Sequence, residues 1–195
     1  MAEDFVASVV AGYERLYGPP TRIVRFSRAE PTAEELAVVI YLPDEDEQQD
    51  PEGNLTLLGT AGFGAKPVCR DFPCELGIEV VGPLGDSDAD ALAEALVDLG
   101  VVPLENGRPF VDGQLLENVT LPVFPRFTTA MLVDRDPVDG FRFPPPLGEV
   151  AFLRLVPLFG AEAELVASYQ DRHEAFLDLI NRGMAEADPD REPVV

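Results

Sequence analysis

His173 is the single histidine of the chain and lies between Arg172 and Glu174 in a stretch with helical periodicity. An imidazole acts as a general base when a substrate or nucleophile is within hydrogen-bond reach and a third group orients it. Nothing in the neighbouring sequence places either, so the residue reads as a histidine on a helix surface. The stretch Gly59-Thr60-Ala61-Gly62-Phe63-Gly64-Ala65-Lys66 nearly spells a phosphate loop. A true one needs lysine directly after the last glycine and then Ser or Thr, so that the ammonium reaches the outer phosphates and the hydroxyl reaches magnesium. Here Ala65 takes the lysine's place, and Pro67 opposes the helix whose N-terminus would hold phosphate. The stretch reads as a turn leaving a strand.

Other candidate chemistry fails on count or spacing. Cys69 and Cys74 are close enough in sequence to bridge or to make half a metal site. Without a second Cys or His pair the ligand set is incomplete, so they read as structural thiols whose pairing is left open. Residues 44–53, DEDEQQDPEG, alternate acids at Asp44 and Asp46 but lack the central glycine and closing glutamate of a calcium loop, and read as a solvated loop. There is no Gly-x-Ser-x-Gly elbow, and the carboxylates are too numerous to single out a pair. No catalytic residue, cofactor or metal is therefore assigned, and the expectation is a protein that is not an enzyme. Recognition has a better candidate in the turn-rich segment Asn106 to Asn118, where Arg108, Phe110, Asp112 and Gln114 stand beside glycines on what reads as an exposed loop.

Charge narrows the partners. Thirty-six acids against fourteen Lys and Arg give a formal net charge of -22. Such a chain repels nucleic-acid phosphate and anionic lipid, and steers a basic protein toward it in a salt-dependent way. The acidic start Met1-Ala2-Glu3-Asp4 lacks the positive charge of a secretory signal, and no apolar run approaches a membrane span, so the expected location is the cytoplasm. The 195 residues suffice for one core burying roughly 70% of the unfolded surface. Oligomeric state is left open.

The elements that must position these residues follow from periodicity. Phe5, Val9, Tyr13 and Leu16 share one face of an opening helix, ended at Gly18-Pro19-Pro20. Strands are predicted at Ile23 to Phe26, Leu36 to Leu42, Leu55 to Leu58, Cys74 to Val81, Phe127 to Val133 and Val150 to Val156, the last closed by Pro157. Asp86, Ser87 and Asp88 offer N-caps to a helix over Ala89 to Leu99, with Gly100 at its C-cap. Residues 101 to 120 read as turns and short strands, and 134 to 147 as a loop. A terminal helix spans Ala161 to Asn181 with a break near Ser168 and an inner face of Leu165, Tyr169, Phe176, Leu177 and Ile180. Glu162 and Glu164 fall in its first turn, where negative charge is favoured. Residues 184–195 read as a flexible acidic tail behind a domain of residues 1–183. Strands adjacent in sequence, with helices at the start, middle and end, define an α+β class with a mixed, mostly antiparallel sheet.

Four segments in this order carry a resemblance: Gly59 to Gly64, Cys74-Glu75-Leu76-Gly77-Ile78-Glu79-Val80, Ala130-Met131-Leu132-Val133-Asp134-Arg135-Asp136-Pro137, and Val150 to Leu165, a V-x-F-L-x-(L/I)-V strand followed by an acidic helix start. Together they resemble the suppressor-of-fused family across most of residues 1 to 183. The resemblance implies a non-enzymatic protein-binding domain; animal members hold a transcription factor, and bacterial members are regarded as immunity proteins beside toxin genes. It brings no catalytic residues. Animal members place partner contacts near the Asn106 to Asn118 region, but the order here, Asp112-Gly113-Gln114, does not match their Gly-Asp-His feature, so no individual contact is carried over. The expected partner is a protein, a basic toxin domain in the immunity reading. Two alternatives remain, an enzyme or small-molecule binder with a pocket between sheet and helices, and a regulator binding a peptide at a strand edge.

Overall fold

The run Leu36-Ala37-Val38-Val39-Ile40 shows no polar alternation because both faces of its strand are covered, and all five residues are buried. A computed structural model describes residues 2–27, 35–44, 54–65, 69, 73–134 and 150–195. The chain passes through α1 (Ala2–Tyr17), β1 (Arg22–Ser27), β2 (Glu35–Tyr41), β3 (Leu55–Ala61) and β4 (Cys74–Val81). It crosses by α2 (Asp86–Leu99) and α3 (Val102–Asn106) to β5 (Leu115–Glu117), β6 (Thr129–Asp134) and β7 (Ala151–Leu158), and ends in α4 (Gly160–Ser168) and α5 (Arg172–Asn181). The strands form one seven-stranded sheet of order β1-β2-β3-β4-β7-β6-β5. Every pairing is antiparallel except β4 with β7. This is the α+β arrangement expected from the element order. Among the described residues no helix is long and apolar enough to cross a membrane.

Each face of the sheet has its own helical cover. Leu36, Val38 and Ile40 of β2 and Leu76, Ile78 and Val80 of β4 pack with Ala89, Leu92, Ala93, Leu96 and Val97 of α2. Ala37 and Val39 face the other way, onto Val6, Val9, Val10 and Tyr13 of α1. Farther along that side, Met131, Val133, Val156 and Leu158 meet Val166 of α4 and Ala175, Phe176 and Leu179 of α5. Two glycines set how closely α1 approaches. Gly59 and Gly77 are cross-strand partners in β3 and β4. A Cβ on Gly59 would collide with the Tyr13 ring, and one on Gly77 with the Phe152 ring. The two rings fill this trench edge to face, with centroids 5.8 Å apart.

Several details depart from the sequence reading. Leu16 is 42% exposed, and α1 turns Val6 and Val10 inward in its place. Asp86 and Asp88 lie in the first turn of α2 and do not cap it, since Gly85 is the cap; Arg22 pairs with Asp86 at 3.6 Å and with Asp90 at 2.8 Å. The segment after Gly100 holds the short helix α3, which ends at the Asn106-Gly107 turn. β7 continues through Pro157 to Leu158. Its register with β4 ends at Arg154, so Pro157 lies where the strand has an open side and a missing N–H is tolerated. The terminal helix does break, giving α4 and α5, but Leu177 is 48% and Ile180 37% exposed because Ala175, Phe176 and Leu179 take the inner face. The calcium-loop residues after Asp44, the loop of residues 135 to 147, and Lys66 lie outside the described residues.

The largest departure is the C-terminal segment, expected to be loose but docked in the structure. Val81 N–H donates to the Ala187 carbonyl at 2.8 Å, joining the segment to β4. Both terminal nitrogens of Arg191 reach the Glu162 carboxylate, each at 2.6 Å, and one also donates to Pro157 O at 2.9 Å. Phe159 N–H and Val194 N–H donate to the same carboxylate, at 2.9 and 3.2 Å. The guanidinium lies 5.0 Å from the centroids of both the Phe127 and Phe159 rings. Burial alone would push the Glu162 carboxyl up, but the bonds from Arg191 and the backbone hold it below the ordinary range. A two-point, hydrogen-bonded geometry of this kind is what allows an ion pair to be buried. Removing one partner strands a buried charge, so Arg191→Ala is predicted to cost about 3–5 kcal/mol in urea unfolding at neutral pH. A loss below about 1 kcal/mol, the level of an exposed pair, would mean the segment is not docked.

Candidate functional site

The glycine-rich turn that mimics a phosphate loop does hold an anion, and the anion is the protein's own. Glu75 of β4 is fully buried, and its carboxylate points back into the end of β3. It accepts from Gly62 N–H at 3.0 Å, Phe63 N–H at 3.2 Å, Gly64 N–H at 3.0 Å and the Thr60 hydroxyl at 2.8 Å. The Thr60 oxygen in turn accepts from Leu76 N–H at 2.8 Å, and Tyr13 of α1 donates to Thr60 O at 3.1 Å. The successive N–H groups form the concavity that phosphate loops turn on a ligand. Burial pushes the Glu75 carboxyl up to about 7, against the four hydrogen bonds that favour its ionised form. Cys69 and Cys74 lie beside this cradle, both buried and not bridged to one another. A thiol–thiol hydrogen bond and burial raise the Cys74 ionisation.

A surface groove lies elsewhere, between the turn that leads into β5 and the start of α5. Its volume is 740 Å³, and Asp112, Gln114, Gln170, Asp171, His173 and Glu174 are among the side chains on its walls. One wall is the turn Val111 to Gln114. Val111 N–H bonds the Gln114 side-chain oxygen at 3.3 Å, and Gln114 N–H bonds Val111 O at 3.2 Å. Gly113 sits at φ 74, a conformation that favours glycine. The turn is laced to β6 by Gly113 N–H to Leu132 O and Leu132 N–H to Gln114 O, both 2.8 Å, and by Asp134 N–H to the Asp112 carboxylate at 2.8 Å. On the opposite wall Asp171 caps α5 by accepting His173 N–H at 2.9 Å. Arg172 crosses between the walls and donates to Gly113 O at 2.9 Å. The groove is therefore a fixed surface.

Its charge is unbalanced. Asp112, Asp171 and Glu174 face one guanidinium, and among the described residues no ion pair answers any of the three carboxylates. The lining carries no Ser, Thr, Cys, Lys or Tyr side chain to serve as a nucleophile. The His173 ring is half-buried against Phe176, centroids 6.3 Å apart, and its Nδ1 is buried without a hydrogen-bond partner. A smaller cavity of 320 Å³ lies where α1 meets the sheet, lined by Tyr17, Tyr41, Leu57 and Glu79 among others. Glu79 is already engaged there, by Arg154 at 2.7 Å, and Arg154 also pairs with Glu186 of the docked C-terminal segment.

Of the four recognition residues predicted from sequence, Asp112 and Gln114 line the groove, while Arg108 is exposed outside it. Phe110 is 4% exposed and belongs to the main core, packed on the α2 side of the sheet, so it has no surface to offer a partner. His173 joins the groove through the fold alone, since no local sequence signal couples residue 112 to residue 173. In the sequence Glu75 reads only as an acid interrupting an apolar strand; the fold buries it, and a buried acid needs an internal partner.

The groove lies on a two-sided α+β sheet. Comparison with solved structures specifies the fold further, as suppressor-of-fused-like. A protein described as a suppressor-of-fused homologue from Neisseria gonorrhoeae FA 1090 superposes with a TM-score of 0.70 at 14% identity, over 99% of this chain and 98% of that one. A chain of the Sufu–Fu complex gives 0.59 at 12% identity, over 99% of this chain and 91% of that one. Drosophila Suppressor of Fused gives 0.62 at 13% identity over 97% of this chain, which spans only 50% of the fly protein's. The sequence matches no protein-family model and no curated protein. The motif resemblance seen in the sequence thus corresponds to a shared fold.

The Glu75 cradle generates a pH prediction. A carboxyl raised from its ordinary 4.5 to about 7 contributes stability that is fully present below 4.5 and is lost as pH rises through 7. The full difference is about 3 kcal/mol. Glu75→Gln lacks this linkage, so its stability deficit relative to wild type is expected to be largest near pH 4.5 and to narrow by up to about 3 kcal/mol toward pH 8 in parallel urea titrations. A deficit that widened over that range would show that the folded carboxyl titrates below its ordinary value.

Proposed function

We propose that this chain is a cytoplasmic, non-enzymatic protein-binding domain, and that it acts as an immunity protein by covering the basic active face of a toxin. The carrying observation is the groove between Asp112 and His173, with walls tied together by Arg172 and three carboxylates that no ion pair answers among the described residues. The net charge of -22 supports the same partner chemistry, since a strongly acidic protein speeds encounter with a basic one and disfavours nucleic acid and anionic membranes. The suppressor-of-fused-like fold supports a binding role, and one of the similar structures is itself a complex with Fu.

A second reading draws on β5, which forms one edge of the sheet beside the same groove. An extended peptide adding to that edge through main-chain pairing gives a peptide-binding regulator. Its mark is insensitivity to salt, because backbone hydrogen bonds carry the affinity.

Affinity capture from the native host, followed by association kinetics with the purified partner, tests the proposal. The expected result is a basic toxin-like protein whose activity is lost on complex formation and whose association rate falls about tenfold or more between low salt and 0.5 M. A partner associating at a rate indifferent to salt removes the electrostatic account. Turnover of a small molecule that disappears in His173→Ala replaces the binding domain with an enzyme.

A further inference from the structure

On the reading of the chain as a protein-binding domain, we infer that the docking face extends beyond the groove along the outer side of α5, and that its occupant is a segment of a basic partner carrying apolar side chains and arginine together. Leu177 and Ile180 sit outside, 48% and 37% exposed, where an amphipathic helix would place polar residues. His173, Leu177 and Ile180 are spaced by four and three, so they form one stripe of the helix about 10 Å long. The stripe begins in the groove at His173, and Val111, 45% exposed, stands on the facing wall. Val111 in the groove and Leu177 and Ile180 along the helix that leads from it account for three of the six exposed large hydrophobic residues among those described. Single exposed apolar residues need no explanation, but a contiguous group rimmed by charge marks an interaction site.

Charge decides the occupant. Asp112, Asp171 and Glu174 line the groove at the head of the stripe without an ion pair among the described residues, and the guanidinium in the groove, Arg172, donates to Gly113 O. An arginine from outside can take such carboxylates in two-point fashion while its neighbours cover Leu177 and Ile180. A second copy of this chain is a poor occupant, because an isologous contact along α5 would set the same carboxylates against one another between two bodies of charge -22.

The face can be tested before any natural partner is known. Three synthetic helical peptides serve as probes: one with a leucine stripe on an arginine background, one with the same stripe on glutamate, and one with arginine but serine in place of leucine. Titrated into the ¹⁵N-labelled chain, the arginine–leucine peptide is expected to bind saturably and to shift amides of Val111 to Gln114 and Asp171 to Asn181. The glutamate–leucine and arginine–serine peptides are expected to bind at least about tenfold more weakly. The exposed-site variants Leu177→Ser with Ile180→Ser, and Asp112→Asn with Glu174→Gln, are each expected to weaken the first peptide about tenfold, with unchanged thermal unfolding. Equal binding by the glutamate peptide, shifts confined to α2, or a dimer in sedimentation that Leu177→Ser dissolves would each overturn the inference. A captured host protein that binds the Leu177→Ser, Ile180→Ser variant as tightly as wild type also overturns this face while leaving the binding-domain reading intact. The converse pattern, peptide shifts on this face with no host protein partner, strikes only that reading.

Discussion

The buried carboxylate of Glu75 is the constraint around which the rest of the molecule is arranged. A charge-bearing group at the centre of a sheet is tolerable only when every lone pair has a donor, and here the turn after β3 supplies three N–H groups and a hydroxyl. That requirement sets the path of Gly62 to Gly64, fixes Thr60, and through the Thr60 carbonyl holds Tyr13 and with it α1. Tyr13 in turn fills the trench over Gly59 and Gly77 with Phe152, so the cradle and the aromatic packing are one structure. Glu162 repeats the principle at the other end of the sheet, where Arg191 and two backbone N–H groups satisfy it and the C-terminal segment is drawn in.

These internal uses of charge separate the scaffold from the groove proposed as the recognising surface. Glu75, Glu79 and Glu162 are committed inside the fold, whereas Asp112, Asp171 and Glu174 border a groove with no ion pair of their own among the described residues. Arg172 makes the difference between a loop and a surface, because its bond to Gly113 O ties the α5 start to the turn before β5 and removes the ordering cost a mobile loop would add on binding. The stripe of Leu177 and Ile180 then lengthens a rigid polar groove into a mixed face of the kind protein interfaces use.

Much of the architecture was legible in the residues, for a physical reason. Strand β2 is buried on both faces, so residues 36–40 appear as an unbroken apolar run, β7 departs from such a run at Arg154, and β4 stands out for its alternation. The break expected near Ser168 falls between α4 and α5, and Tyr169, which spacing set on the helix's inner face, lies outside both helices. What stayed hidden depended on long-range contact. The sequence around Glu75 sets it on the face opposite Leu76 and Ile78 but gives neither its burial nor the identity of its donors. Arg191 looks like one more charge in a polar tail until Glu162 is seen beneath it. Leu177 and Ile180 fit an inner face by spacing alone, and only the rotation of α5 on Met131 and Val156 puts Ala175 and Leu179 there instead. Phe110 sits in a turn-rich segment whose composition implies exposure, yet the segment folds that ring into the core. The groove itself joins residues distant in sequence, so half of it was visible as a loop and half as a helix start.

The central claim is that the glycine turn is filled from within by a carboxylate the fold holds out of water. The most direct measurement is the ¹³C chemical shift of the Glu75 side-chain carboxyl followed through a pH titration of the intact chain, with the amide shifts of Gly62, Phe63 and Gly64 recorded alongside. The account predicts one titration with a midpoint of about 7, tracked by all three amides. A midpoint at the ordinary 4.5, with amides that ignore it, would show that the carboxylate faces solvent and that the turn is open to another ligand.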